Sequence, residues 1–166
     1  DFFLRDSDIF EFGRIGASDG TGAINAAARQ NARPFFSRSI GLSALGEPVD
    51  LEVGGKITGR IGRWNIGALS VRQDQYSGIA ADNATAARIS ANLLEESNIG
   101  VIVTEGDPGS ALDNSLTGVD FLYRNSRLAG GKLIEVNAWM QESDTEGVAD
   151  GQDAYGWRIS TPNNSG

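Results

Sequence analysis

The chain has 166 residues, 40% of them hydrophobic and 22% charged, the makeup of a folded domain rather than a disordered segment. Its net charge of −8 argues against nucleic acid as a partner, because phosphates need a basic footprint. With no cysteine and no histidine it can form no disulfide, no His-based catalytic triad and none of the commonest zinc centres; no run of 18 apolar residues exists either, which excludes a transmembrane helix but not a transmembrane barrel.

The opening stretch, "DFFLRDSDIFEFG" (1–13), has apolar Phe2, Phe3, Leu4, Ile9, Phe10 and Phe12 at no single period. It reads as two short strands or a packed irregular segment, and as a plug or an entry strand. "ASDGTG" is a turn signal. "AINAAARQNA" has helical propensity but no apolar stripe beyond alanine, and reads as a loop with a helical turn. Residues 1–32 are thus an entry or plug-like segment and loop, ahead of a β-region over 33–166.

From Arg33 onward strand follows strand. The predicted segments are about 34–40, 53–61, 64–72, 85–93, 98–104, 115–125, 132–142 and 153–161. In "GGKITGRIGRWNIGALSV" (54–71), Gly55, Ile57, Gly59 and Ile61 alternate with Lys56, Thr58 and Arg60, and Gly62-Arg63 marks a tight turn. Later segments alternate likewise: Ala87, Ile89, Ala91 and Leu93; Ile99, Val101 and Val103; Val119, Phe121 and Tyr123; Ile134, Val136, Ala138 and Met140; Tyr155, Trp157 and Ile159. No long amphipathic helix interrupts the series, so the class is all-β and antiparallel.

Alternation does not say what covers the apolar side. A soluble β-sandwich packs it against a second sheet; a transmembrane barrel turns it to lipid. Two features favour the barrel. Short and long connections alternate, as periplasmic turns and outside loops do. Glycines recur inside strands, at Gly55, Gly59, Gly67, Gly100, Gly118 and Gly156, where they serve as bulges or admit a neighbouring side chain. Trp64 and Tyr123, at strand ends, suit an interfacial girdle or ordinary core packing.

The polar sides carry the candidate functional charges: Arg38, Lys56, Arg60, Arg88, Asp120, Arg124, Glu135 and Arg158. In a barrel these face the lumen, pair with one another and set the field felt by a solute or plug. "ESDTEGVADGQD" (142–153) is acidic, with Asp144, Glu146 and Asp150 as weak metal candidates, but EF-hand spacing is not met. A glycoside hydrolase needs two carboxylates at a defined separation, and no such pair can be read here.

Five blocks resemble one bacterial family: "FFLRDSDIFEFG" (2–13), "PFFSRSIG" (34–41), "GGKITGRIGRWNIGALSV" (54–71), "ARISANLLEESNIGVIVTEGD" (87–107) and "LTGVDFLYR" (116–124). They are similar, in order, to the DUF5916 family. Ser39 departs from that family's usual second arginine. The resemblance implies the C-terminal outer-membrane β-barrel region of proteins with an N-terminal carbohydrate-binding module of the family-9-like type. On that reading the chain is a fragment, without the upstream module and the barrel's closing half.

The expectation is therefore an antiparallel up-and-down meander of about eight strands, part of a transmembrane β-barrel in the bacterial outer membrane. It contacts lipid, uses no cofactor and is not an enzyme. It acts in passage, anchoring or surface handling of a ligand, a carbohydrate-derived one included through the missing module. The alternatives are a soluble β-sandwich carbohydrate-binding module and, more weakly, a β-rich glycoside hydrolase.

Overall fold

The computed structural model describes residues 7–13, 34, 41, 47–76, 79–106, 112–128 and 131–161. A 3-10 turn, Ser7–Phe10, precedes seven strands: β1 (Leu51–Ile61), β2 (Trp64–Gln73), β3 (Asp82–Leu93), β4 (Ser97–Glu105), β5 (Asn114–Leu128), β6 (Lys132–Thr145) and β7 (Asp153–Ser160). They form one open antiparallel sheet in the order β1-β2-β3-β4-β5-β6-β7. The predicted strand over 34–40 lies outside the described residues except for Pro34.

The strands run from 8 to 15 residues, against about 5–6 in ordinary globular sheets. The chain passes from β1 to β2, β3 to β4 and β5 to β6 at one end of the sheet, by two or three residues, and from β2 to β3, β4 to β5 and β6 to β7 at the other, by seven or eight. Gly62 opens the first hairpin turn at φ 60°, as a glycine does at the first position of a type II′ turn.

Register fixes the faces, because Cα partners share a side. One row runs Ile61, Trp64, Ala91, Ile99, Phe121, Ala138, Trp157. The next, on the same side, runs Gly59, Ile66, Ile89, Val101, Val119, Met140, Tyr155. On the opposite side lies Arg60, Asn65, Ser90, Gly100, Asp120, Trp139, Gly156. The apolar face is open: Tyr155 is 78% exposed, Ile57 75% and Trp157 73%. The polar face is the covered one, with Arg88, Asp120, Glu135 and Asn137 all buried.

What covers part of it is the N-terminal segment. Ile9 and Phe10 pack with Leu69, Val71 and Ala86, and Phe12 packs with Ile102 and Trp139. The opening stretch is thus a 3-10 turn and a packed irregular segment, not strands, over its described part. The Phe12 and Trp139 rings meet edge to face, with centroids 6.2 Å apart. Burying each such side chain stabilises by roughly 1.5–3 kcal/mol. Glycines make the room: a Cβ on Gly67 would stand 2.8 Å from Ile9 Cγ2, and one on Gly118 2.7 Å from Phe12 Cζ. Gly156 seats the Trp139 ring in the same way. Gly55 and Gly59, on the apolar face, have no such neighbour.

The connection 94–96 holds Leu94 at φ 53°, 81% exposed. A side chain in this left-handed region costs roughly 1–2 kcal/mol, and asparagine tolerates it better. Leu94→Asn is therefore expected to raise unfolding stability by about 1 kcal/mol in a denaturant titration, with no change in fold.

Candidate functional site

The polar face is organised around an ion pair. Arg88 Nη2 lies 2.7 Å from Asp120 Oδ1, with both side chains almost wholly buried. Arg88 stands on β3 and Asp120 on β5; β4 passes between them and offers Gly100 at the crossing. A Cβ there would fall 2.5 Å from Arg88 Nη2 and 2.9 Å from Asp120 Oδ1. The backbone N–H of Gly13 donates to Asp120 Oδ2 at 3.0 Å, so the second carboxylate oxygen ties down the N-terminal segment. The Arg88 guanidinium also sits 5.7 Å from the centre of the Phe12 ring. A pair so desolvated depends on its close geometry, and the Gly13 N–H supplies one added hydrogen bond.

The other candidate charges share this face. Lys56 lies over the Phe10 ring at 5.8 Å. Arg60 pairs with Asp8 at 2.7 Å, in the open. Glu135 is buried; it accepts from Asn137 Nδ2 at 3.3 Å and from Arg158 Nη2 at 3.5 Å. Arg124, the register partner of Glu135, is exposed at the wall. Arg38 lies outside the described residues.

Beside the ion pair a cleft of about 300 Å³ opens, lined by Glu11, Arg88, Ser90, Asn98, Asp120, Leu122, Arg124 and Asn137. Arg88 Nη1 is buried and, among the described residues, has no hydrogen-bond partner. A larger groove of about 800 Å³ lies at the long-connection end, with Asp82, Glu105, Asp113, Asp144 and Glu146 among its lining. Asp150 is not in it, and among the described residues no three carboxylates gather closely enough to hold a metal ion.

Glu96, in the connection 94–96, takes hydrogen bonds from the Ser126 hydroxyl and, at 3.0 Å, from the Ser126 N–H. The hydroxyl bond does most to hold its carboxyl below the usual glutamate range, and Arg124 and Arg127 add to this. A lowered folded-state value means that this tie is present above the ordinary glutamate range and lost as pH falls through the folded value.

Sequence reading missed Asp8, Glu11 and the seat at Gly100. Gly100 stood out as a strand glycine, but its purpose depends on which side chains cross it.

Comparison of the chain with protein-family models, with curated proteins and with solved structures finds no match in any of the three.

The two ion pairs differ in consequence. Asp120→Ala leaves a buried guanidinium unpaired and is expected to cost about 3–5 kcal/mol. Arg60→Ala removes an exposed pair and is expected to cost about 1 kcal/mol or less. Gly100→Val is expected to follow Asp120→Ala in direction, and Gly55→Val to leave the polar face untouched. Urea unfolding of the four variants checks the order.

Proposed function

We propose that the sheet is a wall of a bacterial outer-membrane β-barrel, non-enzymatic, serving passage, anchoring or surface handling of a ligand. One observation carries the reading: the apolar face is open, whereas the charged face is covered over Arg88, Asp120, Glu135 and Asn137. A soluble sheet inverts this, burying its apolar side. The open apolar side chains amount to on the order of 1,000 Å², against roughly 300–600 Å² for the largest patch on an ordinary soluble monomer. No second sheet stands over them among the described residues.

Length supports the same reading. A membrane-spanning strand needs about 9–11 residues when tilted, and all but β7 reach nine. The apolar band is also skewed. On β2–β4 it extends to Ala68, Ala87 and Val103, whereas the same row on β5–β7 is Thr117, Glu142 and Asp153. At the other edge it ends with Ile61 and Trp64 on β1 and β2 but reaches Tyr123, Val136 and Ile159 on β5–β7. Both edges step the same way, as a band of constant height does across tilted strands. Trp64, Phe121, Tyr123 and Trp157 lie toward the short-connection end, where an aromatic girdle belongs.

The resemblance to the DUF5916 family is part of this proposal and rests on the motif blocks. It supplies the link to an upstream carbohydrate-binding module, and through it to a carbohydrate-derived ligand.

Expression of the complete reading frame provides the test. The protein is expected in the outer-membrane fraction, extracted only by detergent, and running faster on gels unheated than boiled. Recovery as a folded soluble protein without detergent would contradict the reading.

A further inference from the structure

We propose that residues 7–13 form an internal strap that, with the polar wall, makes the constriction of the permeation path; this deepens the barrel reading and rests on it. The strap is fitted rather than draped. Ile9 and Phe10 fill the space over Gly67, Phe12 that over Gly118, and the Gly13 N–H closes on Asp120. Its carboxylates are turned to wall arginines: Asp8 pairs with Arg60, and Glu11 lines the cleft shared with Arg88 and Arg124.

The strap thus brings negative charge to one side of the cleft and the wall brings arginine to the other. Asp120 balances Arg88, so the lining as a whole carries charge of both signs. Asn98 and Asn137 add amide donors and acceptors to that lining. Opposed charges across a narrow polar gap orient dipoles and discriminate weakly between ions of either sign. The solute class is small, hydrophilic and neutral or zwitterionic, with hydrogen-bond donors and acceptors together.

Two exposed residues allow a test that does not hinge on folding. In planar bilayers under a KCl gradient, with protein from the complete reading frame, Glu11→Gln is expected to raise the anion-to-cation permeability ratio about twofold or more. Arg124→Gln is expected to lower it by a similar factor. Strap position is read separately. A Cβ on Gly67 lies 2.8 Å from Ile9 Cγ2, one bond from Ile9 Cβ, so the two Cβ atoms fall within about 4.3 Å, a separation a disulfide spans. The chain has no native cysteine, so Ile9→Cys with Gly67→Cys is expected to oxidise to a single internal bridge in the folded protein. Opposite shifts in permeability together with bridge formation support the strap. A folded double variant that forms no bridge overturns it, as do wild-type permeability ratios in both charge variants, or an inserted protein that conducts nothing. Failure of the wild-type protein to insert at all is a different result: it brings down the barrel reading itself.

Discussion

A pleated strand sends alternate side chains to opposite faces, so strands held in phase sort their residues into two unlike sides. Here seven strands stay in phase, row after row. Register shifts occur only between Leu51 and Val53 and between Asn125 and Leu128, near strand ends. A one-residue slip anywhere between would put isoleucines among the arginines. The open apolar face, the covered polar face and the position of every charge depend on that phase being kept.

The polar face then faces a problem of its own, since buried charges are costly unless paired. The fold answers with small residues and short reach. Gly100 lets Arg88 and Asp120 meet over an intervening strand, and Gly67 and Gly118 let apolar side chains of the N-terminal segment lie against a polar wall. Among the described residues, the apolar clusters lie not between two sheets but between one sheet and residues 7–13, joined to β5 by the Gly13–Asp120 hydrogen bond across 107 positions.

Much of the sheet was legible in the sequence, and for a clear reason. Alternation and turn chemistry are local, and the predicted segments from 53 to 161 fall on β1–β7 within a few residues at each end. The parity that set Lys56, Arg60, Arg88, Asp120, Arg124, Glu135 and Arg158 apart from the isoleucines is a local signal too, and all seven share a face. Long-range fit was not legible. Nothing in "FEFG" announces that Phe12 sits over Gly118, because the pairing depends on the register of strands a hundred residues on. Leu94 in a left-handed turn gave no signal either, since leucine is a poor marker for it.

The proposed contact of hydrocarbon with the apolar face is directly measurable, because the chain has no cysteine to compete with an introduced one. Single spin labels placed at successive positions from 64 to 70 on β2, in the protein reconstituted into lipid vesicles, report collisions with oxygen and with a water-soluble nickel complex. The account predicts a two-residue period, with oxygen access high and nickel access low at 64, 66 and 68 and oxygen access falling at 65, 67 and 69. High nickel access at 64, 66 and 68, or no alternation along the strand, would contradict it.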